Sequence, residues 1–138
     1  MYSEIKNNLE VQKKALEFLH ADLQQEYMML QCGKPEQAEE LARVITSLVQ
    51  VAFDARVELK RMLGGRPLRE VVAELDNERA RPLSLLLMDL EFIEECCRRR
   101  SERNRIYARA LDEVQMMRIG ALYGVLTGGV DAASERVQ

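Results

Sequence analysis

The longest helix-like stretch of the chain is PLSLLLMDLEFIEECCRRRSERNRIYARALDEVQMMRIGALYGVL, residues 82–126. Pro82 suits the first turn of a helix, and after it only Gly120 and Gly124 interrupt a stretch free of glycine and proline. Apolar residues recur there at steps of three and four, as on one face of an α-helix. At about 1.5 Å per residue, the stretch predicts a single helix roughly 65 Å long, longer than a compact domain of this size.

The main apolar stripe of this helix contains polar residues. Arg100 and Asn104 fall inside it, where a purely hydrophobic contact would have apolar side chains. A polar residue at such a position weakens packing but fixes the register of neighbouring helices. We therefore interpret Arg100 and Asn104 as seam residues that set the register. The apolar members of the stripe are Leu83, Leu86, Leu90, Ile93, Cys97, Tyr107, Leu111, Val114, Leu122 and Val125.

A second apolar stripe runs beside the first near the end of the helix. It comprises Met116, Ile119, Tyr123 and Leu126. Together the two stripes form an apolar arc too wide for one packing contact, which is typical of a helix inside a core or of one that binds a partner. Core packing or self-association would satisfy the second stripe equally well, but flexible methionines suit partners of varied shape. We predict that these four residues form a client-binding surface.

Two further long helices precede this one. Periodic apolar residues predict helices over about residues 4–31 and 35–63, separated by a turn at Gly33–Pro35 and ended by Gly64-Gly65. Their similar lengths favour an antiparallel hairpin. Pro67 begins a short amphipathic segment that is either a helix or partly a connecting loop.

The predicted fold class is therefore all-α: an antiparallel helical hairpin plus a long C-terminal helix, in an elongated three- or four-helix bundle. We expect one domain over residues 1–126. The small, polar residues 127–138 are expected to form a disordered tail.

The composition favours a helical fold and argues against two classes of function, nucleic-acid binding and membrane insertion. The chain has 138 residues, of which 47% are hydrophobic and only 5% aromatic, with no tryptophan. The net charge of -3 is spread along the chain, so no global field attracts nucleic acid, and no apolar run is long enough for membrane insertion. Three cysteines without a Cys-x-x-Cys pair indicate thiols in a reducing compartment. We expect a cytoplasmic protein.

Residues for catalysis or metal binding are scarce. The only histidine, His20, follows Glu17 in a Glu-x-x-His step, but a di-iron site needs a second such pair and two further carboxylates. Cys96 and Cys97 lack a recognisable nucleophile signature, and no glycine-rich phosphate loop is present. We therefore expect no catalytic residues, no metal, no cofactor and no enzymatic activity.

An arginine cluster gives the best argument for nucleic acid. Arg98, Arg105 and Arg109 share a helical face and could follow phosphates. Acidic residues three or four positions away offer them partners on the same helix, which favours a solvated face instead. We expect no nucleic-acid partner, and a nucleic-acid-binding helical module is the weakest alternative.

The order of these features resembles the FlgN-type flagellar export chaperones. The resemblance rests on HADLQQEYMMLQCGKPEQAEELARVITSLVQVAFDARVELKRML followed by RPLSLLLMDLEFIEECCRRRSERNRIYARALDEVQMM. Members of that family have two long helices joined by a short turn, and a long last helix with an asparagine-centred motif before an amphipathic leucine-rich segment. Asn104, in RNRIYARAL, is similar in position to that asparagine.

This resemblance implies a small cytoplasmic chaperone without catalytic residues. Its clients would be the C-terminal helical segments of hook-filament junction proteins, and its second partner the export gate. The family's docking tyrosine precedes a glycine in a C-terminal tail, whereas Tyr123-Gly124 lies within the predicted helix. The alternative from a different class is a homo-oligomeric helical scaffold or adaptor.

Overall fold

The computed structural model describes the backbone of residues 1–137 and the side chains of residues 1–122 except Pro35. It contains four helices: α1 (Tyr2–Gln31), α2 (Pro35–Leu63), α3 (Leu68–Ala73) and α4 (Asn77–Val137). No strand occurs among the described residues. The predicted all-α class, with a helical hairpin and a long last helix, is confirmed.

The α1–α2 turn follows from its glycine and proline. Gly33 adopts a φ of 67°, in the left-handed region where glycine has no steric penalty, and Pro35 occupies the start of α2. Gly64 ends α2 with a φ of 61°. The predicted hairpin turn at Gly33–Pro35 is therefore confirmed.

Within residues 1–104, α1 and α4 pack in parallel with a seven-residue repeat. The Cys97 Sγ donates to the Leu16 carbonyl at 3.4 Å, and Asn104 Nδ2 donates to the Leu23 carbonyl at 2.7 Å. Both pairs are separated by 81 residues, so the two helices keep one register over two turns. The buried positions that follow this repeat are Leu9, Leu16 and Leu23 in α1 and Leu83, Leu90, Cys97 and Asn104 in α4.

Buried polar side chains also join the two helices of the hairpin. Asn8 Nδ2 donates to the Ala55 carbonyl of α2 at 2.8 Å, and Gln12 Nε2 donates to Asn8 Oδ1 at 2.6 Å. Both side chains are buried, so these hydrogen bonds replace the ones that the side chains make with water in the unfolded chain. Near the same end of the hairpin, α3 covers the core through Val72, which joins Leu59, Leu63 and Leu83 in one hydrophobic cluster.

The long helix begins earlier than the sequence predicts. It starts at Asn77, and Pro82 lies inside it. Asp76 provides the start: its Oδ1 accepts the Arg79 N–H at 3.0 Å and its carbonyl accepts the Ala80 N–H at 2.8 Å. This cap supplies partners for the first amide groups, and the helix tolerates the proline that follows.

The chain divides into two compact units, residues 1–104 and 105–138. The backbone of α4 is helical to Val137, past the end expected near Leu126. Beyond residue 122 the side chains lie outside the described part, apart from Gly124. The single domain over 1–126 and the disordered tail at 127–138 stay predictions.

Candidate functional site

The seam residues Arg100 and Asn104 meet the end of α1 in a polar cluster. Asn104 is only 2% exposed. Its Nδ2 donates to the Leu23 carbonyl and, at 2.9 Å, to Glu26 Oε1, while its Oδ1 accepts from Arg100 Nε at 3.1 Å. We call Arg100, Asn104, Glu26 and Tyr27 the Asn104 cluster.

Tyr27 completes the Asn104 cluster. The Arg100 guanidinium lies over its ring, 4.2 Å from the centroid, as in a cation–π contact. Arg100 thus connects a buried amide to an aromatic face. The Asn104 cluster therefore joins α4 to α1 through hydrogen bonds and an aromatic contact, and its role in setting the register stays a prediction.

The described side chains after Asn104 have a different environment. None of those in residues 105–122 is buried, although many are apolar. Met116 is 67% exposed and Ile119 is 55% exposed. The side chains of Tyr123 and Leu126, the other two predicted client-binding residues, lie outside the described residues. The exposed large apolar residues of this segment are Ile106, Val114, Met116, Met117, Ile119 and Leu122.

The arginines that precede this segment have protein partners. Arg98 and Arg99 both donate to Glu95, at distances of 2.6 to 3.0 Å. The hydrogen bonds from Arg98, and to a smaller extent the one from Arg99, lower the pKa of the Glu95 carboxyl to about 2. Of the three arginines whose shared face suggested phosphate binding, Arg98 is therefore paired on its own helix.

The part of the hairpin that includes its turn is acidic. Residues 15–54 carry seven acidic and two basic side chains, whereas residues 96–104 carry four basic and one acidic. The two stretches meet at the Asn104 cluster, where Glu26 belongs to the acidic side and Arg100 to the basic side. Arg100 thus lies beside the acidic part of the hairpin.

A groove on the bundle was not expected from the sequence. It has a volume of about 200 Å³ and an apolar lining from α1 and α2, with an ion pair between Arg56 and Glu94 at its edge. Phe53, at 59% exposure, stands at its opening. Its apolar lining residues are Leu16, Leu19, Val49, Ala52 and Phe53.

Val49 and Phe53 lie outside the apolar stripe that predicts the inward face of the second helix, so the sequence pattern does not indicate the groove. That stripe comprises Ala38, Leu41, Ile45, Leu48, Ala52, Leu59 and Met62. One signal was available. All three phenylalanines of the chain, Phe18, Phe53 and Phe92, fall outside the seven-residue repeat and are exposed. A second groove, of about 340 Å³, lies between α3 and α4, beside Met88 and the Arg69–Glu91 ion pair.

The residues that could bind a metal or act as a nucleophile do not form a cluster among the described residues. His20 is half-buried on α1, and no group of three potential metal ligands occurs among the described residues. Burial raises the pKa of the Cys97 thiol to about 11, which keeps it protonated, and its Sγ donates to a carbonyl. Cys32 is exposed, and Cys96 is half-buried.

Helices that could cross a membrane are absent from the described part of the chain. In comparisons with known proteins, the chain matches no family model, no curated protein and no solved structure.

Proposed function

We propose that this protein is a cytoplasmic flagellar export chaperone that binds amphipathic C-terminal segments of hook-filament junction proteins. One observation carries the proposal: α4 is packed up to Asn104, and its apolar side chains are then exposed over residues 105–122. Exposed apolar surface of this extent on one helix is typical of a binding site. The family resemblance of the sequence supplies the identity of the client.

The chemistry of the exposed face indicates what kind of client fits. Arg105, Arg109, Asp112, Met116 and Ile119 recur at steps of four and three, so they share one face of α4. The face is basic at its N-terminal end and apolar at its C-terminal end. A client helix with acidic residues at one end and an apolar stripe at the other would complement it.

Binding would protect such a client before export. An amphipathic segment that is unfolded on its own exposes its apolar face, and a helix surface of matching pattern covers that face without any covalent chemistry. Two adjacent methionines, Met116 and Met117, adapt in shape because their side chains have three rotatable bonds. Handing the client to the export gate is part of the same proposal.

The test is calorimetric titration of the full chain with C-terminal fragments of hook-filament junction proteins. We expect Met116→Ser/Ile119→Ser to weaken binding at least about tenfold, since burying one large apolar side chain is worth about 1.5 to 3 kcal/mol and about 1.4 kcal/mol is a factor of ten. Thermal unfolding should change little, because both side chains are exposed.

The matched control is Met88→Ser/Phe92→Ser, which alters two equally exposed apolar residues on the first half of α4. It should bind the fragment as tightly as the wild type does. Absence of binding by the wild type would refute the chaperone proposal. Unchanged binding by Met116→Ser/Ile119→Ser would place the client surface elsewhere, and equal loss in both variants would show that binding is not specific to residues 105–122.

A further inference from the structure

Another face of the exposed segment overlaps the client face. Its residue pattern is complementary to the same face of a second copy of the chain. Ile106, Arg109, Glu113 and Met116 recur at steps of three, four and three, as the core positions of a coiled coil do. All four side chains are exposed. The face therefore has an apolar residue at each end and one charge of each sign between them.

Antiparallel alignment of this face with a second copy of itself brings apolar residues against apolar residues and each charge against its opposite. In an antiparallel pair centred at Leu111, Ile106 of one copy opposes Met116 of the other. Arg109 then opposes Glu113 of the other copy, and the two-fold axis generates each contact twice. Two apolar layers thus flank two ion-paired layers over residues 106–116.

Charge selects the orientation of the pair. A parallel alignment would place Arg109 against Arg109 and Glu113 against Glu113, and such like-charge contacts are repulsive. The antiparallel alignment replaces both repulsions by attractions. Charged residues at a helix seam commonly fix orientation in this way.

The two charged side chains are available for such pairing. Neither Arg109 nor Glu113 makes an ion pair within the part of the chain that the structure describes. They are spaced to pair along their own helix, but with arginine on the N-terminal side, which is the weaker order for such pairs.

We propose that two copies of this chain associate through antiparallel pairing of α4 at Ile106, Arg109, Glu113 and Met116. The contact is short, below the roughly 1,200 Å² of total area that stable complexes bury, so the dimer is weak and depends on concentration. Pairing covers Arg109 and Met116, which lie on the proposed client face as well. The dimer needs no client to form.

Charge reversal provides the test. Sedimentation equilibrium of the full wild-type chain should give a mass that rises from monomer toward dimer with concentration. Arg109→Glu alone and Glu113→Arg alone should each weaken the dimer by about tenfold or more, because each creates two like-charge layers. An equimolar mixture of the two variants should associate at least as well as the wild type, since every opposed pair is then attractive.

The mixture separates contacts between copies from effects within one helix, which mixing cannot repair. Circular dichroism on each variant checks that helix content is retained. A wild type that remains monomeric at all concentrations, or variants that dimerise as well as the wild type, would overturn the proposal. So would a mixture that fails to associate. The experiment contains no client, so its failure leaves the chaperone proposal standing, and failed client binding leaves the dimer standing.

Discussion

The two halves of α4 have similar periodic patterns and different surroundings. In residues 83–104, apolar residues spaced by seven are buried, and Leu83 is completely covered. In residues 105–122, apolar residues are just as frequent, yet Met117 is 73% exposed. The comparison teaches that periodicity identifies the apolar face of a helix but does not reveal whether another helix covers it.

The boundary between the halves is polar. At Asn104, the seam ends in a side chain that donates to the Leu23 carbonyl and to Glu26 of α1. Both amide hydrogens find acceptors in this relative position of the two helices, and a shift of α4 along α1 would leave them without these partners. The amide therefore favours this register. The apolar side chains before it contribute mainly to stability, and those after it are available to partners.

The largest effect should come from the packed half. Leu90→Ala removes a side chain that is 5% exposed in the α1–α4 contact, and we expect a loss of about 2 to 5 kcal/mol in the free energy of unfolding. Met117→Ala, in the exposed half, should change that free energy by less than about 0.5 kcal/mol. Urea unfolding followed by circular dichroism measures both. Equal losses would mean that both halves are covered by the same core.

A smaller effect is expected at the boundary. Asn104→Ala leaves Glu26 and Arg100 without their amide partner, which should cost about 1 to 3 kcal/mol in the free energy of unfolding. Ser101→Ala, on the exposed side of the same turn, is the matched control and should be nearly neutral. If Asn104→Ala proved neutral in the same urea experiment, the Asn104 cluster would not set the register.

Much of the fold could be predicted because its signals are local. Gly33 and Pro35 mark the hairpin turn, and Gly64 marks the end of α2, because each residue favours the backbone geometry found there. The polar seam at Arg100 and Asn104 was visible as an interruption of an apolar stripe. Each of these features depends on residues within a few turns of one another.

Other features depend on contacts between distant residues. Pro82 predicts the start of α4 because proline usually marks a first turn, whereas the Asp76 cap begins the helix five residues earlier, at Asn77. The groove beside Phe53 arises where α1, α2 and α4 meet, which no single periodicity encodes. The client surface stays a prediction: Met116 and Ile119 are exposed, as a client surface requires, but exposure alone identifies no client.

The smallest effect concerns charges on the outer face of the packed half. Arg98 and Arg99 hold the pKa of Glu95 at about 2, below its ordinary value of 4.5. A lowered pKa means that the ionised carboxylate favours the folded state. This contribution is present above pH 4.5 and is lost as the pH falls from 4.5 towards 2.

Arg98→Gln/Arg99→Gln should therefore return the Glu95 titration midpoint towards 4.5 and remove this part of the acid dependence of stability. At pH 7 the melting temperature should hardly change, because the three side chains are exposed or partly exposed and water screens their charges. Carboxyl chemical shifts followed from pH 2 to pH 6 give the midpoint, and thermal melts at both ends of that range give the stability. A Glu95 midpoint that stays near 2 in the variant would show that another group stabilises the carboxylate. A large loss of stability at pH 7 would instead place these arginines among the residues that hold α4 in the bundle, like Arg100.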